Sequence, residues 1–116
     1  FYTLANSKKV TIQKGSIELN FTNLPNKFAL DPPFPNPFNP STTLSFDIPE
    51  TMSSNLLNLD IYDIKGRNVE TLIQRSVLPG RHNIKWDASQ FSSGVYFVKL
   101  SYDNQSKTRK LILLKL

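Results

Sequence analysis

The chain of 116 residues contains no cysteine, one histidine, one methionine, one tryptophan and four glycines. Without cysteine there is no disulfide, no thiolate metal ligand and no thiol nucleophile. The single histidine, His82, has no second imidazole to share a metal, and on an alternating pattern it reads as a half-buried strand residue. No apolar run approaches the roughly 18 to 20 residues that a membrane-spanning helix needs, so no transmembrane segment is expected. There is no Gly-x-Ser-x-Gly, no phosphate loop and no His-Glu-x-x-His. Asp60, Asp63 and Asp87 miss the spacing of an acidic calcium loop. The residues therefore point away from an enzyme, and no cofactor is expected. Phe1 to Ser7 lacks the basic start and apolar stretch of a signal peptide, and the chain reads as part of a longer polypeptide.

What is present is basic and aromatic. Fourteen Lys and Arg stand against nine Asp and Glu, with eight Phe, four Tyr and the one Trp. The surplus of charge is uneven. Residues 1–28 carry Lys8, Lys9, Lys14 and Lys27 against Glu18, a net +3. Residues 29–98 hold five basic and seven acidic side chains, a net −2, and residues 99–116 set Lys99, Lys107, Arg109, Lys110 and Lys115 against Asp103, a net +4. Nucleic-acid binding surfaces interleave cations with stacking aromatics, and the acidic middle has no such pattern, so no nucleic acid partner is expected. Lysines at the ends fit solvated strand edges, where charge discourages sheet-to-sheet aggregation, or a last strand that a partner reads by its sign.

Period-two alternation runs through the chain and no helical period is sustained. Val10 and Ile12, then Ile17, Leu19 and Phe21, flank Lys14-Gly15 as a hairpin. Leu44, Phe46 and Ile48 make a strand that Pro49 stops, and Leu57, Leu59 and Ile61 make another that turns at Asp63-Ile64-Lys65-Gly66. Val69 to Ile73 returns. Leu78-Pro79-Gly80-Arg81 predicts a type II turn, with Gly80 at positive φ, leading into His82, Ile84 and Trp86. Asp87 is placed to cap one helical turn. Gly94 opens a strand in which Tyr96, Val98 and Leu100 share a face, and Thr108 to Leu116 forms the last strand. About seven short strands with turn signals every ~8 to 12 residues predict an all-β antiparallel sandwich. Trp86 is its expected central aromatic, and Tyr96 stands where a tyrosine-corner hydroxyl bonds back to the backbone.

Asp31 to Pro40 is unusual in holding five prolines in ten residues. Proline fixes φ and extends the residue before it, so the segment is extended but barred from a central strand. Phe34 and Phe38 are expected to plug the open end of the sandwich, with Asn36 and Asn39 closing small Asx turns. Asn20-Phe21-Thr22 and Asn104-Gln105-Ser106 match the glycosylation sequon.

Taken in order, these motifs resemble the type IX secretion C-terminal sorting domain. The resemblance runs over Phe28 to Leu116. Its structural marks are Pro35, Asn36, Pro37, Phe38, Asn39 and Pro40, then Gly66 in Leu59 to Arg67, Gly80 in Leu78-Pro79-Gly80, and Trp86 in Trp86 to Ser89. It closes with Ser93 to Leu100 and Lys110 to Lys115. The resemblance implies an immunoglobulin-like or fibronectin-like β-sandwich of type A, related to the module of the flagellar hook-capping protein. On it, residues 1–28 are an upstream hairpin or the end of a preceding domain, and residues 29–116 are the sorting domain.

The same resemblance implies a noncatalytic address. Cargo reaches the periplasm by an ordinary signal and passes the outer-membrane type IX translocon to the cell surface or medium. A sortase-like peptidase cuts upstream of the proline segment, between Leu24 and Leu30, with anionic lipopolysaccharide linkage or release of the cargo. Recognition by the translocon falls on Gly94, Tyr96, Lys99, Lys110, Leu111, Leu113, Leu114 and Lys115. The alternatives are a carbohydrate-binding module, with Trp86, Tyr62, Tyr96 and Tyr102 stacking on sugars, or a structural spacer.

Overall fold

The computed structural model describes residues 27–52 and 56–116. Seven strands form there: β1 (Ala29–Leu30), β2 (Ser41–Ile48), β3 (Leu57–Asp63), β4 (Asn68–Arg75), β5 (Gly80–Asp87), β6 (Gly94–Tyr102) and β7 (Gln105–Leu113), with a short 3-10 turn at Glu50–Met52. They make two antiparallel sheets, ordered β1-β2-β5 and β4-β3-β6-β7. The expected all-β sandwich is what the chain forms. The hairpin expected over Val10 to Phe21 lies outside the described residues.

Alternation explains the layering. Along β2 the buried side chains are Thr42, Leu44, Phe46 and Ile48, and along β6 they are Tyr96, Val98, Leu100 and Tyr102. Leu57, Leu59 and Ile61 of β3 and Leu111 and Leu113 of β7 complete the large sheet's inner face. Burying each such side chain contributes about 1.5 to 3 kcal/mol. Trp86, at 1% exposure, is the aromatic centre. Phe38, Phe91 and Tyr96 surround it at ring distances of 5.6, 5.7 and 5.8 Å, and its Nε1 donates to Glu70 Oε1 at 2.9 Å.

Local chemistry closes the hairpins. At β3–β4, Asp63 Oδ1 accepts the N–H groups of Lys65 and Arg67 at 2.9 and 3.0 Å, and Gly66 takes φ +85°, where a Cβ is disfavoured. At β6–β7 the turn is Asp103-Asn104, with Asp103 at φ +53°. Short polar side chains tolerate that left-handed conformation. Tyr96 Oη donates to Ser92 O at 2.7 Å, as a tyrosine corner requires.

Four local expectations need correction. The last strand spans Gln105–Leu113, starting three residues before Thr108 and ending three before Leu116. Its first half is polar because it is an exposed edge, which leaves no hydrophobic alternation to read. The Asp87 segment is a turn closed by Phe91 N–H to Ala88 O at 3.0 Å, with Asp87 Oδ1 accepting Ser89 N–H at 3.0 Å, and it is not helical. The Ser89 N–H holds the Asp87 carboxyl below its ordinary value. Gly80 has the expected positive φ, but at +128° it opens β5 opposite Ile48 instead of closing a hydrogen-bonded turn. Phe38 plugs the sandwich as expected, whereas Phe34 is 78% exposed. Phe34 spends its backbone on a bridge to Thr43 at the sheet edge, which leaves its ring outside.

Candidate functional site

The candidate site is β7 and what holds it. β7 pairs with β6 from Gly94↔Leu113 to Tyr102↔Gln105 and is the last strand of the large sheet, so one row of its backbone groups faces outwards. The proline-rich segment meets that row. Leading out of β1, the chain follows β2, with Asp31 N–H donating to Ser45 O at 2.9 Å and Phe34 exchanging bonds with Thr43. It then crosses to the other sheet. Thr42 Oγ1 donates to Pro35 O at 2.7 Å, Asn36 and Phe38 reach β7, and Pro40 O accepts Ala88 N–H at 2.8 Å.

Asn36 makes the crossing specific. Its Nδ2 donates to Lys110 O at 2.8 Å and its Oδ1 accepts Ile112 N–H at 2.9 Å. The amide side chain thus does for β7 what a neighbouring strand's peptide group would do. These bonds replace the Asx turn expected at Asn36, because the side chain is spent on another strand. Phe38 continues the row in parallel pairing, its N–H donating to Ile112 O and its C=O accepting Leu114 N–H, both at 2.9 Å. Beyond the ladder, Lys115 N–H donates to Ser93 Oγ at 2.9 Å. The Lys115 Nζ donates to Ser89 O and Phe91 O at 2.8 and 2.9 Å. Two carbonyls on one ammonium tie the chain beyond β7 to the β5–β6 loop.

The residues singled out from sequence fall into three places. Tyr96, Leu111 and Leu113 are in the core. Gly94, Lys110, Leu114 and Lys115 are exposed, and Lys99 is half-buried on the outer face between Asp60 of β3 and Thr108 of β7. Pro35, Asn36, Pro37 and Asn39 are exposed, Pro40 is half-buried and Phe38 is buried. Gly66 is exposed, Gly80 half-buried and Trp86 central. Sequence reasoning missed Arg109, whose Nε donates to Leu30 O at 2.8 Å and joins β7 to β1. A lone arginine in a polar run carries no signal of such a contact.

Elsewhere the polar groups hold turns and edges. Asp63 accepts from Arg67 Nε at 2.8 Å. The Arg67 N–H, helped by that guanidinium and by Lys65 N–H, keeps its carboxyl below the ordinary range. Asp60 accepts from Thr71 Oγ1 at 2.7 Å. Arg81 lies between Asp31 and Asp47, Nη1 being 2.8 Å from Asp47, and the two carboxylates raise its already high pKa. His82 Nε2 lies 2.7 Å from Leu78 O and its ring stacks on Phe46. Each of these groups has a structural partner in place. The carbohydrate reading required Trp86, Tyr62, Tyr96 and Tyr102 to be exposed together; Tyr62 is half-buried and the other three are buried.

The fold and the latched β7 define a class: an antiparallel β-sandwich whose final strand is clamped along its open edge by a proline-rich lead-in. Residues 33–114, running from that lead-in through β7, match the family model of the secretion system C-terminal sorting domain, and the chain belongs to this family. No curated protein and no solved structure matches the chain. The family is a noncatalytic secretion-sorting signal of the type IX system, and membership implies interaction with that machinery and export to the cell surface or medium. No helix among the described residues is long and apolar enough to cross a membrane.

Proposed function

We propose that residues 29–116 are a type A sorting domain that directs an upstream cargo through the outer-membrane type IX translocon, and that the domain performs no catalysis itself. The observation that carries this reading is the family match over 33–114, which takes in all of β7. The three-on-four strand order and the Tyr96 corner support kinship with immunoglobulin-like and fibronectin-like sandwiches, the hook-capping module included. Recognition uses β6 and the second half of β7. Lys110, Leu114, Lys115, Gly94 and Lys99 present chemistry to the translocon, and Tyr96, Leu111 and Leu113 hold those residues in register from within the core.

A sortase-like peptidase removes the domain by cutting N-terminal to the folded lead-in, after which the cargo is linked to anionic lipopolysaccharide or released. Phe28, packed on Tyr102 at a ring distance of 6.3 Å, and Leu30 are built into the sandwich. Cleavage before them leaves the sandwich whole. The test is a fusion of residues 27–116 to a periplasmic reporter in a host with a type IX system. The reporter is expected at the cell surface or in the medium, and its retention in the periplasm would refute the reading. Deleting residues 110–116 is expected to abolish export.

A further inference from the structure

The latch covers only half of β7. In an antiparallel ladder the residues alternate, one facing its partner with both N–H and C=O and the next facing away with both. Ile112 faces away, its two groups bonded to Asn36 and Phe38. Two-residue counting puts Lys110 and Thr108 in the same row. Among the described residues nothing bonds the N–H of Lys110 or either backbone group of Thr108 across that edge.

Beside this open stretch lies a groove of about 290 Å³ with Lys27, Phe28, Ala29 and Leu30 on one wall and Lys107, Thr108 and Arg109 on the other. Three of its seven lining residues are cationic and none is acidic. The ion pairs among the described residues are Arg67–Asp63, Arg81–Asp31 and Arg81–Asp47, and none involves a cation of this groove.

We propose that the open half of the β7 edge, Ser106 to Lys110, binds an extended acidic segment of a partner protein. The segment adds as a strand on the Thr108 backbone, with its carboxylates toward Lys27, Lys107 and Arg109. Main-chain pairing supplies the affinity and opposite charge the selectivity. Residues 1–26 of this chain are poorly suited to the groove, since they carry three lysines and one glutamate. A second copy would bring the same cations. The inference goes beyond the sorting reading, which places recognition on β6 and the second half of β7, and adds a contact on the first half.

The test uses the full chain with three fluorescent peptides: alternating glutamate and valine, alternating lysine and valine, and the glutamate peptide N-methylated at alternate residues. Binding is read by anisotropy, and backbone pairing by amide exchange at Thr108 and Ile112. The glutamate peptide is expected to bind and the lysine peptide not to. N-methylation is expected to weaken binding about tenfold or more, as loss of backbone bonds would. Exchange at Thr108 slows on binding while that at Ile112, already bonded to Asn36, is unchanged. Thr108→Pro, tolerable on an edge because its N–H serves no ladder bond, abolishes binding, and Thr108→Val retains it.

Equal binding of the N-methylated and parent peptides would overturn the proposal in favour of plain charge attraction, and this arm needs no variant to fold. No binding by the glutamate peptide, or equal binding by the lysine peptide, also overturns it. Thr108 protection without peptide overturns it too, pointing to residues 1–26 if independent of protein concentration and to a second copy if it rises with concentration. Peptide binding with the reporter retained in the periplasm refutes the sorting reading alone. Export without peptide binding refutes only the groove.

Discussion

From the Lys110 C=O to the Leu114 N–H the outward backbone of the β7 segment is taken up by Asn36 and Phe38, while from Gln105 to Arg109 nothing among the described residues takes it up, although both halves pair with β6 in one ladder. The difference follows the side chains. The covered half holds Leu111, Ile112, Leu113 and Leu114, an apolar run that would recruit another strand if its edge were bare. The open half holds Lys107 and Arg109 around Thr108, and charge protects an edge without a cover. One strand thus uses two ways of guarding its edge, and only the charged way leaves the backbone available to a partner of opposite sign.

The largest test of this contrast is Phe38→Ala. It empties a buried site against Trp86 and breaks the parallel bridge's anchor, so about 3 to 5 kcal/mol of stability is expected to be lost in thermal melts, with aggregation rising. Asn36→Ala removes two exposed bonds to the edge. About 1 to 2 kcal/mol is expected in urea unfolding, and Ile112 amide exchange should quicken while that of Thr108 stays as it was. Unchanged Ile112 exchange would mean the latch does not protect the strand.

At the open half, Arg109→Met removes the bond to Leu30 O and is expected to cost about 1 kcal/mol, read from the denaturant midpoint. Asp63, beside Tyr96 in the ladder at the latched end, gives a pH signature. Its carboxyl lies below the ordinary 3.8, so its stabilisation is present above that value and fades as pH falls through the folded one. The stability gap between the wild type and Asp63→Asn should therefore shrink in acid, and a gap constant with pH would contradict the assignment. The smallest effect is expected for Lys107→Gln, within about 0.5 kcal/mol, since an exposed edge lysine holds nothing up. A larger loss would show the open half to be structural.

Much of the fold was legible because its cause is local. Alternation located β2, β3, β5 and β6, Gly66 marked a hairpin, and the spacing of Tyr96 behind Gly94 pointed to the corner bond with Ser92. The start of β7 was not legible, since Gln105 to Lys110 has no buried face to impose a period. Nor were the roles of Asn36, Arg109 and Lys115, whose partners lie 74 to 76, 79 and 22 to 26 residues away.

By itself the sequence determined an all-β chain, an aromatic core around Trp86, an extended proline segment and a basic last strand, because each depends on residue type and short spacing. Only the tertiary structure decided which sheet edge the proline segment covers, and hence which half of β7 stays open. That choice is made by backbone groups, which every residue carries alike, and it emerges only when the two sheets bring residues 36 and 112 together.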